Sequence, residues 1–207
     1  MKLTPRRSRT ARTRTVAVLI PVVAVLAALA GCGSRSVEAS TAAVSTSAYT
    51  VVSAPALTPG DAVPSPTGPV ILTVSGRVDA AEGARTISFD LATLESIGLV
   101  EYAVDDDVAE GRTATFRGVL LSRLLAVVGM HDATTLHMVA LNDYAVDIPA
   151  TDPGAFPVLL ATSVDGSRMP IEEYGPTRVI YPTDDAALNP TVYDPRRIWQ
   201  LMSIEVR

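Results

Sequence analysis

The chain has 207 residues, with 17 Lys and Arg against 22 Asp and Glu, and 48% of it is hydrophobic. Six of the basic residues precede position 15, so beyond Cys32 eleven arginines and no lysine face all 22 acidic residues, a formal charge of −11. That balance argues against nucleic-acid partners, which need Lys and Arg to displace counterions, and against electrostatic adsorption to anionic lipid. Cys32 is the sole cysteine, which excludes an intrachain disulfide and a cysteine-built metal site.

In chain order, the first element is a basic start (Lys2, Arg6, Arg7, Arg9, Arg12, Arg14) followed by an apolar run from Val16 to Ala30, broken only by Pro21. The run is short for a membrane span of about 20 residues and has the layout of a secretory signal. Leu29-Ala30-Gly31-Cys32 resembles the lipobox of bacterial lipoproteins. The resemblance implies a diacylglycerol thioether on Cys32, removal of residues 1–31, and an extracytoplasmic protein anchored to a bacterial cell membrane through that lipid. Residues 32–68 follow as a linker. Of positions 33–68, 26 are Ala, Ser, Thr, Gly or Pro, too little apolar surface to offset ordering entropy. As a flexible tether that stretch would span roughly 30 to 36 Å.

Residues 69–207 have the length of one ordinary domain. Val70 to Val78 alternates and is β-branched, so it predicts a strand, as does Thr86-Ile87-Ser88-Phe89. Asp90 can cap a short helix over Leu91 to Ile97, ended by Gly98, and Leu99 to Val104 returns to strand character. Leu120, Leu121, Leu124, Leu125 and Val128 recur at helical spacing, with Gly129 as C-cap. Leu136 to Leu141 and Tyr144 to Ile148 predict two strands around the turn pair Asn142-Asp143. Val158 to Thr162 is a further strand before the turn pair Asp165-Gly166. Arg178 to Pro182 and Trp199 to Val206 close the domain. Many short strands with few helices predict an α+β, strand-rich single domain.

The order of several segments resembles the molybdopterin-binding domain of the sulfite oxidase and methionine-sulfoxide-reductase type oxidoreductases. The pieces are Ile71 to Val78, Phe89-Asp90-Leu91-Ala92-Thr93-Leu94, Phe116 to Leu125 with Arg117-Gly118-Val119, Asn142-Asp143-Tyr144 to Pro149, Leu159 to Pro170, Gly175-Pro176-Thr177-Arg178 to Pro182, and Trp199 to Val206. The resemblance implies that fold and, in its catalytic members, a molybdenum centre held by the cofactor and one protein thiolate. The thiolate segment corresponds to Val100 to Asp107, which holds no cysteine. The lysine that often precedes the closing Trp corresponds to Ile198. The expectation is therefore a fold kept without its redox chemistry, binding no cofactor, with molybdopterin as the alternative.

Candidate ligand-binding residues are Asn142, Tyr144, Arg178, Tyr181, Arg196, Arg197 and Trp199, with Tyr193 nearby. An aromatic and arginine cluster suits a small anionic ligand or an envelope protein partner. The structural alternative has Arg178 pairing a buried acid and Trp199 filling the core. His131 with Asp132, and His137, are expected to be ordinary histidines and not metal ligands. Asp105-Asp106-Asp107 lacks the alternating ligand loop of a calcium site, and Glu172-Glu173 and Asp184-Asp185 read as loop charges. No G-x-S-x-G elbow, H-E-x-x-H or P-loop occurs.

Overall fold

The computed structural model describes residues 48–79, 86–106, 112–182 and 188–207. The signal segment, Cys32, Asp107 and Asp184-Asp185 lie outside the described residues. The strands among them are β1 (Thr50–Val51), β2 (Val70–Gly76), β3 (Thr86–Asp90), β4 (Val100–Asp106), β5 (Arg112–Leu120), β6 (Thr135–Ala140), β7 (Ala145–Pro149), β8 (Leu159–Val164), β9 (Ser167–Arg168), β10 (Arg178–Ile180) and β11 (Leu201–Val206). The helices are α1 (Leu91–Glu95), α2 (Leu121–Val127), α3 (Asp152–Ala155) and α4 (Pro190–Tyr193). Among the described residues no helix is long and apolar enough to cross a membrane.

Two sheets carry the α+β fold. One has the order β1-β4-β5-β8-β10, with β9 paired to β8, and the other β3-β2-β11-β6-β7. In the second, β11 lies parallel to β2 and antiparallel to β6. The main core packs Leu72 and Val74 of β2, Leu136 and Met138 of β6 and Ile204 of β11 against Leu121, Leu124 and Leu125 of α2, with Val119, Leu160 and Val179 from the first sheet. The opposite face of the first sheet holds a second cluster, including Tyr102, Phe116, Leu159, Ala161 and Ile180. Strand β8 therefore has a core on both faces, which is why it reads as an unbroken apolar run and does not alternate.

Local chemistry fixes several boundaries. Asp90 caps α1, its Oδ1 accepting from Thr93 N at 2.8 Å while its Oδ2 accepts from Thr67 N at 2.8 Å and Gly68 N at 2.9 Å. Those donors, led by the Thr93 amide, hold its carboxyl well below the usual carboxylate range. Helix α2 ends at Gly129, φ +65°, a conformation glycine enters without steric cost. Asp165 and Gly166, both at positive φ, make the tight β8–β9 hairpin.

Two expectations need correcting. The linker was expected to run to Gly68, but Thr50 and Val51 pair with Glu101 and Val100 of β4. Leu57 is buried, and Ala56 and Leu57 donate backbone hydrogen bonds to Ser96 O. The small-residue composition hid a segment that gains its order from the domain it lies on. Strand β5 was not expected either, although it pairs with both β4 and β8. Its alternation of Ala114 and Phe116 inward with Thr113 and Thr115 outward is interrupted at Arg117-Gly118, where the register with β8 shifts. A Cβ on Gly118 would lie 2.1 Å from Leu160 O, so the interruption is a close backbone approach that only glycine permits.

Candidate functional site

The β6–β7 turn and the segment entering β11 enclose a cavity of about 270 Å³. It is lined by Asn142 and Tyr144 from the turn, Asp194, Pro195 and Arg197 from the approach, and Trp199 and Gln200 at its mouth. The turn is built locally: Asn142 Oδ1 accepts from Tyr144 N at 3.1 Å, and Asp143 takes φ +63°. Tyr144 then reaches across, its hydroxyl donating to Pro195 O at 3.0 Å. Leu141 N donates to Gln200 O at 3.0 Å, so both walls are joined by hydrogen bonds.

Four of the seven expected residues line this cavity: Asn142, Tyr144, Arg197 and Trp199. The other three do not. Arg178 is 4% exposed, with its guanidinium carbon 5.3 Å from the Phe116 ring centroid and 5.7 Å from that of Trp199. It underlies the tryptophan, in cation–π geometry. Tyr181 is fully buried and Arg196 mostly so. The Tyr181 hydroxyl donates to Asp152 Oδ2 at 2.8 Å and Arg196 Nη1 donates to the same oxygen at 2.6 Å. Burial first, and then the Asp152 charge, push the Tyr181 hydroxyl well above its ordinary range. These two side chains brace the segment that forms the cavity wall and do not line the cavity. The alternative for Trp199, filling the core, fails: it is 43% exposed, packed edge-on against Tyr174 with ring centroids 4.5 Å apart.

Sequence reasoning missed Gln200 and Asp152. Gln200 sits at φ +52°, a conformation its residue type does not advertise. Asp152 gave one faint signal, an acid in a Thr-Asp-Pro helix start. The histidines are held by local partners. His137 Nδ1 lies 2.6 Å from Asp147 Oδ1 and His131 Nδ1 lies 3.1 Å from Gly129 O. Among the described residues no group of three potential metal ligands occurs.

The two antiparallel-rich sheets with their short helices make a strand-rich α+β domain, with the cavity at the entry to β11. A model of the family described as "oxidoreductase molybdopterin binding domain" matches residues 80–188, more than half of the chain, and the chain belongs to that family. Of 30 solved chains that match, one is the sulfane dehydrogenase SoxCD from Paracoccus pantotrophus, at 16% identity and TM-score 0.50. The match covers 65% of this chain but 37% of that one, and it bears on fold alone. No curated protein matches the chain.

The family binds molybdopterin, and its fit can be tested on the residues present. The segment expected to hold the thiolate, Val100 to Asp107, forms strand β4 as far as Asp106, and Asp107 lies outside the described residues. Its Val100, Tyr102 and Val104 are buried, while Glu101 pairs with Arg117 at 2.8 Å and Asp105 Oδ1 accepts from Thr113 Oγ1 at 2.8 Å. It offers oxygen donors where molybdenum would take a soft sulfur. Ile198, at the lysine position, is 1% exposed and part of the main core. The residues described do not fit the cofactor.

Proposed function

We propose that this protein is a lipid-anchored extracytoplasmic module that uses the oxidoreductase fold without its redox centre and works by binding at the cavity of Asn142, Tyr144, Arg197 and Trp199. The observation that carries this reading is β4, a regular sheet strand with hard or apolar side chains where the family's catalytic members place a thiolate. Ile198 supports it, because a buried aliphatic side chain cannot serve the cofactor's phosphate. The lipobox-like Leu29-Ala30-Gly31-Cys32 supports attachment to the membrane through Cys32. Family membership alone favours a second reading, a molybdopterin-dependent oxidoreductase with a thiolate-free metal site.

The deciding experiment is elemental and pterin-fluorescence analysis of protein made in a molybdenum-competent host. The binding reading expects far less than stoichiometric molybdenum and no oxidation of sulfite or reduction of sulfoxides. Stoichiometric molybdenum with pterin would replace it with the second reading.

A further inference from the structure

We propose that the surface around this cavity docks a basic protein segment, which inserts one apolar side chain into the cavity and sets its Lys or Arg residues on an acidic rim. The proposal rests on the binding reading above and names the occupant.

The first observation is where exposed apolar surface concentrates. Ten large hydrophobic side chains are exposed among the described residues, and Leu141, Tyr144, Ile171, Tyr174 and Trp199 are five of them. All five gather around Gln200. Its backbone N donates to Tyr174 O at 3.2 Å, its Nε2 donates to Ile171 O at 2.6 Å, and its O accepts from Leu141 N. Tyr144 and Trp199 share the cavity lining with it. A group of one Trp, two Tyr and two aliphatic residues on segments that meet at Gln200, with Tyr174 packed on Trp199, has the composition of an interface centre, where aromatic anchors dominate.

The second observation is backbone conformation. Of five non-glycine residues at positive φ among the described residues, three lie in or beside this patch: Asp143 at 63°, Tyr174 at 71° and Gln200 at 52°. Such conformations persist where surrounding structure enforces them, and they gather at functional surfaces. Here they accompany the presentation of Tyr174 and Trp199 outward together.

Charge selects the occupant. Asp143, Glu172, Glu173 and Asp194 are exposed around the patch, whereas Arg178 is buried beneath it and Arg197, 7% exposed, lines only the cavity. An anionic ligand would meet those carboxylates, while a cationic segment would be attracted to them. A second copy of this chain carries the same acidic excess and would be repelled. A small molecule held in the cavity would leave Leu141 and Ile171 uncovered, since neither lines it. A peptide chain lying across the rim covers both.

Trp199 is the only tryptophan, so its emission reports on this surface alone. The test titrates the full chain with short Lys/Arg peptides carrying a central Leu or Phe. The controls are the same peptides with Gly at the centre, acidic peptides with the same anchor, inorganic phosphate, and anionic vesicles. The proposal expects a blue shift with the anchored basic peptides alone. It expects affinity to weaken about tenfold on moving from low to high salt, and again about tenfold in the Glu172→Gln/Glu173→Gln double variant, whose fold is checked by circular dichroism. No shift, an equal response to the Gly-centred or acidic peptides, a response to phosphate or vesicles in its place, or an unchanged affinity in the double variant would each overturn it. Molybdenum assayed on the same preparations separates the two failures. A metal-free protein that ignores the peptides sinks this proposal only, whereas a molybdenum-loaded protein sinks the binding reading as well.

Discussion

The brace under the cavity wall makes a quantitative prediction. Asp152 is 6% exposed and its Oδ2 takes both the Tyr181 hydroxyl and Arg196 Nη1. Asp152→Ala leaves a fully buried hydroxyl without its acceptor, which costs about 1 to 3 kcal/mol. It also leaves a guanidinium that is only 18% exposed without its counter-charge. Removing one partner of a buried pair costs about 3 to 5 kcal/mol, but Arg196 is near enough to the surface to regain some water. The combined expectation is about 3 kcal/mol, or roughly 6 to 12 °C in Tm for a domain of this size. Thermal unfolding followed by circular dichroism measures it. A double-mutant cycle with Arg196→Met sharpens the test, because replacing both charges removes the stranded cation and should recover a good part of the loss. A cost below about 1 kcal/mol for Asp152→Ala, or strictly additive single losses, would refute the claim that this ion pair holds the wall.

Other perturbations follow the same logic. Gly118→Ala should destabilise the fold by about 1 to 3 kcal/mol or more, because the new methyl meets the Leu160 carbonyl at the β5–β8 register shift; urea denaturation reads the change, and a neutral result would mean that the strands part easily there. Asp90 has a folded-state pKa depressed below its unfolded value by the amides it accepts from, so its contribution is present above about pH 4 and is lost as pH falls further; stability measured against pH should decline there, and less steeply in Asp90→Asn. Limited proteolysis should leave Pro55 to Gly68 intact, since Leu57 is buried and Thr67 and Gly68 are tied to Asp90; cuts in this stretch would show that the packed unit begins near Pro69 after all. Cys32→Ser should move the protein out of the detergent phase if Cys32 carries the lipid, and unchanged partitioning with normal processing would remove the anchor from the proposal.

Much of the fold was legible because its pattern is local. The alternation of β2, the helical spacing of Leu121, Leu124 and Leu125, and the turn pairs Asn142-Asp143 and Asp165-Gly166 each state their geometry within a few residues. Strand β5 was not legible because the glycine that breaks its pattern answers to a carbonyl on β8, more than 40 positions away. Strand β1 was hidden for a related reason: Thr50 and Val51 become a strand by borrowing the edge of β4. At the site, Tyr144 could be named with its turn neighbour Asn142 because the family resemblance sets that turn at the pocket end, and Arg197 and Trp199 because aromatic and arginine residues cluster before β11. That Tyr181 and Arg196 turn inward to Asp152 instead is a fact of burial, which composition does not carry.

The position of β11 bears on how the molecule comes together in time. Residues 201–206 lie between β2 and β6, so the strands on either side have no direct pairing with each other. A chain emerging from a ribosome or passing through a translocon in residue order delivers β2, β3, β6 and β7 well before it delivers the strand that unites them. Until then the hairpin-like halves β2–β3 and β6–β7 have an open seam between them, and closure waits on contacts between residues more than 120 positions apart. Such late, long-range zippering is slow. In the exported protein proposed above, that delay would let the chain be threaded across a membrane before it folds.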